Sequence, residues 1–194
     1  MSQTPESYLL DIIRDSFLQA KALPDEGTSD QIRHHNRSRN WVDCLAKRFK
    51  SEFTDNDIRV FSKHDDCNRT QFGLNELLYD VVVCRLGYTH AAVHNKEIPY
   101  VKEAIWQVES EFANNTREIV IDFSKLIMGS ASHKLFIAAA SKNCDKILRA
   151  LIPVANDCSG RIFIAFIPHP KNWKDHADSD LLLLKFTDGD WVNL

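Results

Sequence analysis

No run of apolar residues in the chain approaches the roughly 20 that span a bilayer. The opening stretch, MSQTPESYLLDIIRDS, lacks the basic start and small-residue cleavage site of a signal peptide, which points to the cytosol. The cysteines Cys44, Cys67, Cys84, Cys144 and Cys158 are odd in number, widely spaced and contain no C-x-x-C pair. A disulfide framework is therefore not expected, and most should be small buried apolar residues. The HDDC stretch at 64–67 has no second cysteine or histidine pair at a spacing that completes a zinc site of about four ligands. The remaining histidines, His34, His35, His90, His94, His133, His169 and His176, are scattered and read as surface or packed residues. The 6 glycines form neither a Walker loop nor a dinucleotide fingerprint. Serine, cysteine and histidine show no nucleophile elbow or triad. Covalent-nucleophile and nucleotide-loop chemistry thus lose their usual carriers.

What is present is ordinary in bulk: 194 residues, 44% apolar, 26% charged, with a net charge of −3. These are globular values for one domain over 1–194, with a helical part over about 1–53 and a sheet core over about 54–194. No repeat or linker divides it. The charge is uneven, however. Between Gln31 and Lys50 stand Arg33, Arg37, Arg39, Lys47, Arg48 and Lys50 against the single acid Asp43. A basic island on a mildly acidic chain reads either as a solvated helix face or as a place for a polyanion.

The periodicity gives an element order. Leu9, Ile13 and Phe17 make a helical stripe that ends before Pro24 and Gly27. A second helix carries Val42, Leu45, Ala46, Phe49 and Phe53. Strands follow at 57–63, 77–88 and through IWQVESEF at 105–112. A helix fits TREIVIDFSKLIMG, a strand HKLFIAA at 133–139 and a helix NCDKILRALIPV. RIFIAFIP at 161–168 is a strand buried on both faces, and the end is a hairpin across Asp188-Gly189. This is an α/β layout in which a three-strand meander returns through helices.

Two places break the apolar pattern. Asp80 interrupts LLYDVVV, where a charge is costly unless it is paired or bound to a metal. Glu109 and Glu111 share one strand face, where like charges repel unless a cation lies between them. If the strands are neighbours, three carboxylates converge on one edge of the sheet. Such a set suits a hard divalent cation, Mg²⁺ or Mn²⁺, and with it phosphodiester hydrolysis.

Strand with Asp80, strand with VESEFANN, helix, strand resembles the core of the PD-(D/E)xK nucleases. Within that superfamily it is most similar to Type II restriction endonucleases with glutamate or glutamine in place of the motif lysine. The resemblance covers roughly 49–168. It implies an αβββαβ restriction-endonuclease-like core with a mixed central sheet flanked by helices and an extra N-terminal helix. It also implies that Asp80 and Glu109 are metal ligands and that Glu111 handles the attacking water. Glu52, on the helix before the meander, is a further acid of the kind many members carry. Two departures stand out: no proline precedes Asp80, and no lysine follows Glu109 at i+2. Any cation must then come from elsewhere, with Lys125 on the next helix as the candidate.

The resulting expectation is a metal-dependent DNA endonuclease in restriction or phage defence. Phosphate contacts would come from Arg37, Arg39, Lys47 and Arg48, and a homodimer would serve both strands. The rival is a catalytically silent nuclease-fold subunit that binds nucleic acid or a protein partner. A third reading is a small carboxylate-dependent hydrolase acting on nucleotides.

Overall fold

The computed structural model describes residues 4–24, 27–63, 65–113, 115–175 and 181–194. His64 and His176 lie outside the described residues. The chain opens with two helices, α1 (Pro5–Ala22) and α2 (Asp30–Glu52), whose start is capped by the Ser29 hydroxyl accepting from the Ile32 amide at 3.3 Å. Next come strand β1 (Ile58–Ser62), a short helix α3 (Asp66–Phe72) and the long strands β2 (Val81–Ala91) and β3 (Lys96–Glu111). Helix α4 (Thr116–Ser124) tightens into a 3₁₀ turn over Lys125–Met128 and leads to β4 (His133–Ala139). Helix α5 (Cys144–Asp157), β5 (Arg161–Ile167), β6 (Leu182–Thr187) and β7 (Asp190–Asn193) complete the chain.

The strands form one seven-stranded mixed sheet in sequential order, β1 through β7. Strands β1, β2 and β3 are antiparallel, β3, β4 and β5 run parallel, and β5, β6 and β7 are antiparallel again. Each parallel step needs a crossover, and α4 and α5 supply the two. The expected α/β layout with its αβββαβ order is therefore present, with helices on both faces.

Alternation along the strands divides the core in two. Val81, Val83, Trp106, Val108, Leu135, Ile137 and Phe163 face α1 and α2, which bring Leu9, Ile12, Phe17, Trp41, Leu45 and Phe49. Val82, Cys84, Phe136, Ala138, Ile162 and Ile164 face the other way, onto Ile119, Phe123 and Leu126 around α4 and Ile147 and Leu151 of α5. The helical stripes read from the sequence are these buried faces.

The differences from the sequence reading are local. Asp80 does not sit inside a strand: β2 begins one residue later. Before it, Leu77 bridges Tyr79 around Leu78, whose φ of 66° lies in the left-handed region. Helix α3 was not expected. The segment between the second and third expected strands, left unassigned by the periodicity, is the far half of a hairpin, paired from Leu86↔Val101 to Ala91↔Lys96 beyond the reach of β1 and β4. Of the cysteines, only Cys44 and Cys84 are buried, whereas Cys67 is exposed and Cys144 and Cys158 are half-buried.

Candidate active site

The last ladder pair at this end of β2 and β3 is Val81↔Val108, so continuing the register by one residue sets Asp80 opposite Glu109. Facing residues on neighbouring strands share a face. That face belongs to α4, because Glu109 stands beside Phe136 and Glu111 beside Ala138 of β4. Ser110, one step between them, points to the other side and accepts from Trp41 Nε1 at 3.1 Å. Asp80 is tied in place by the Ser110 amide, which donates to its Oδ2 at 2.9 Å.

Helix α4 closes over the acids. Asn115 caps it by accepting from the Glu118 amide at 2.9 Å. Ile119, Phe123 and Leu126 then anchor its buried stripe. Residues beside that stripe lean over the sheet at helical spacing. Asp122 and Lys125 occupy those positions. Lys125 Nζ lies 2.7 Å from Asp122 Oδ1 and 3.5 Å from Glu109 Oε2. The following turn is seated closely: a Cβ on Gly129 would fall 2.0 Å from the Gln107 side chain. The Tyr79 hydroxyl donates to the Lys125 carbonyl at 3.0 Å, which fixes the backbone from which the lysine reaches.

Glu109 is 4% exposed, and its Oε1 has no hydrogen-bond partner among the described residues. Burial, then the neighbouring charge of Asp80, pushes its carboxyl up to about 8, with Lys125 pulling the other way. Burial pushes Asp80 up to about 6 against the stabilising Ser110 amide. Glu111 rises to about 7 through burial and then its hydrogen bond with Asp122, while its Oε1 accepts from the Ala113 amide at 2.6 Å. Burial opposes ionisation of Asp122, yet hydrogen bonds from Glu111 and Lys125 hold it below the usual carboxylate range. Burial likewise opposes the charge on Lys125, which Asp122 and Glu109 keep above the ordinary lysine value. The cluster thus sets an ammonium and the acidic Asp122 beside three carboxyls that burial raises toward neutrality.

Not every expected residue is here. Glu52 is paired with Arg48 at 3.1 Å at the end of α2, and among the described residues no hydrogen bond or ion pair joins it to Asp80 or Glu109. Arg48 also reaches Asp15 at 3.1 Å, and Lys47 pairs with Asp43 at 2.7 Å. Arg37 donates to the carbonyls of Pro170 and Lys171. Arg39 is exposed. Asp122 was missed by the sequence reading, although its i,i+3 spacing from Lys125, beside the apolar stripe, was the available signal.

Among the described residues no three histidine, cysteine or acidic side chains are gathered closely enough to hold a metal ion by themselves. The pair Asp80 and Glu109 still fits a hard cation, since Mg²⁺ keeps several waters and takes only one or two protein carboxylates. The buried Oε1 of Glu109, without a hydrogen-bond partner among the described residues, is a donor such an ion could use. A polar cleft of about 220 Å³ lies past the end of β3, lined by Ala113, Thr116, Ser141, Asn143 and Lys146 among others and by none of the clustered acids.

No protein-family model and no curated protein matches the chain. Among solved structures, NucC of P. aeruginosa ATCC27853 in its cAAA-bound form aligns with 100% of this chain over 85% of its own, at a TM-score of 0.46 and 8% sequence identity. No helix of the described residues is long and apolar enough to cross a membrane.

Proposed function

We propose that the chain is a divalent-metal-dependent nuclease that hydrolyses DNA phosphodiester bonds, in the restriction or phage-defence setting its motif resemblance implies. The observation that carries this reading is the facing pair Asp80 and Glu109, closed over by Lys125 from the turn that follows α4. A buried acid with an unpartnered oxygen is expensive, and it persists where it has work to do.

Asp80 and Glu109 would hold Mg²⁺ or Mn²⁺, which when bound supplies charge neutralisation at the phosphate and a more acidic water. Lys125 stands where the motif lysine is absent from β3, and its ammonium stabilises negative charge developing on the phosphoryl oxygens. Glu111, with a carboxyl poised near neutrality, accepts the proton of the attacking water. The water oxygen bonds to phosphorus as one ester oxygen leaves and takes up a proton from solvent, and Glu111 then gives its proton to solvent, so each turnover consumes one water. The cleft beside Ala113 gives the strand a path past Lys146. On α2, Arg39 is the first phosphate contact, because Arg37, Lys47 and Arg48 would have to exchange partners they already hold. One site cuts one strand, so cleavage of both calls for a homodimer.

Incubating the protein with supercoiled plasmid in Mg²⁺, Mn²⁺ or EDTA tests this directly. Nicking that needs the metal is expected, and intact plasmid under every metal removes the reading. The second reading, a silent nucleic-acid- or protein-binding subunit, is favoured by one observation. Lys125 already sits against Glu109, and no third acid completes a metal site among the described residues. Metal-independent DNA binding without cleavage would select it.

A further inference from the structure

We propose that Asp122 is a positioning residue that draws the Lys125 ammonium toward itself, leaving only a long 3.5 Å contact with Glu109, and so keeps a cation place open between Glu109 and Asp80. This rests on the metal-dependent reading above. Two acids contact that ammonium, and the distances are unequal: 2.7 Å to Asp122 Oδ1 against 3.5 Å to Glu109 Oε2. The backbone does not decide the matter, because the Lys125 carbonyl is fixed by Tyr79. The choice is made by a flexible four-carbon stem with two anions in reach. Asp122 also lies close enough to Glu111 for the two side chains to share a hydrogen bond.

Removing the Asp122 charge leaves Glu109, which is 5% exposed as a side chain, as the nearest acid to the ammonium, and a closer ammonium favours the ionised form of that acid. Attraction is stronger away from water, so the lysine would close onto Glu109 and compete for the oxygen a metal needs. Asp122 thereby separates two cations that share one acid. An ordinary i,i+3 helix pair, worth a few tenths of a kcal/mol, would do none of this.

The test is Mn²⁺ titration, by calorimetry or by the loss of the free-ion paramagnetic resonance signal, on the parent, Asp122→Asn, Asp122→Glu, Lys125→Met and the Asp122→Asn/Lys125→Met double variant. Asp122→Asn should weaken Mn²⁺ binding about 10-fold or more, the usual cost of losing a residue that orients a metal's surroundings. Asp122→Glu should restore most of it. The double variant should bind like Lys125→Met alone, since there is then no ammonium to hold. Equal weakening with and without Lys125 would make Asp122 a ligand and overturn the proposal. Unchanged binding in Asp122→Asn, or no Mn²⁺ binding by the parent, would overturn it as well. Plasmid cleavage is scored separately: the expected binding pattern with no cleavage removes the nuclease reading and leaves the role of Asp122 standing.

Discussion

Strand β3 has two faces that differ by a single residue step and behave as different materials. Trp106, Val108 and Ser110 look toward α1 and α2, where Trp106 meets His133 at 4.8 Å, Phe163 at 5.6 Å and Phe49 at 5.7 Å. Gln107, Glu109 and Glu111 look toward α4, into a seam that also contains the buried Lys134 of β4. On the first face every buried group adds cohesion. On the second, carboxyls are held away from their ordinary pKa values, and one oxygen is left unpartnered. The lesson is that stability and reactivity are separated across one sheet, so that substitutions on the two faces should fail in opposite ways.

The largest effect should come from the polar face. Glu109→Gln and Asp80→Asn should each lower metal-dependent plasmid cleavage by about 10²- to 10⁴-fold, the scale set by losing one preorganised charged group. The same substitutions should leave Tm unchanged or raise it, because an amide removes a buried charge. A fall in Tm matching the loss of activity would erase the distinction between the faces.

Trp106→Ala reverses the pattern. Truncating a fully buried aromatic leaves a cavity and costs about 3–5 kcal/mol. Denaturant unfolding should show that loss, while Mn²⁺ affinity of the remaining folded protein stays near the parent value. A specific loss of metal binding would mean that the core face shapes the site after all.

Proton linkage gives a smaller, graded effect. Asp80, Glu109 and Glu111 all have folded-state values raised above their ordinary ones, to about 6, 8 and 7. Groups shifted this way favour the folded state most below their unfolded values, and that contribution is lost as pH rises through the folded values. The metal-free protein should therefore lose Tm between about pH 5 and 8, through these groups, and Glu109→Gln should flatten part of the slope. Mg²⁺ should oppose the decline, since it favours the ionised acids. A metal-free Tm that climbs over this range would contradict the buried-acid picture.

How much of this was legible in the sequence follows the same division. The apolar face announces itself: Leu9, Ile13, Phe17 and Leu45, Phe49 recur at helical spacing because burial selects them. Asp80 and Glu109 were noticeable too, since acids in apolar runs are rare, but their facing depended on a strand pairing that the sequence left conditional. The far hairpin, 86–101, was not, because exposed residues such as Tyr88, Ile98 and Tyr100 impose no alternation. Helix α3 has only 7 residues, about two turns, and leaves no period to read. The start of β2 was misplaced because Leu77 and Tyr79 look like strand residues, and only the positive φ of Leu78 reveals the turn. Asp122 was missed because its partner across space lies on another element.

The smallest expected effects lie on α2, outside both materials. Lys47 is 68% exposed and paired with Asp43, while Arg48 is 21% exposed and shared between Asp15 and Glu52. Exposed pairs contribute about 0.2–1 kcal/mol, so phosphate could draw Lys47 away at little cost, whereas Arg48 would have to abandon two partners and its packing. Arg39 needs to give up less. Each phosphate contact contributes roughly 0.9 to the slope of log affinity against log salt on duplex DNA. Arg39→Gln should therefore reduce the slope by about one unit, Lys47→Gln by less, and Arg48→Gln by nothing measurable while lowering Tm slightly. Fluorescence anisotropy with a labelled duplex in Ca²⁺ across a salt series would read these slopes. If all three leave slope and affinity unchanged, the basic helix is a solvated face and the DNA approaches from the α4 side alone. If Arg48→Gln gives the largest change, its pairing with Asp15 and Glu52 is a resting arrangement that DNA displaces.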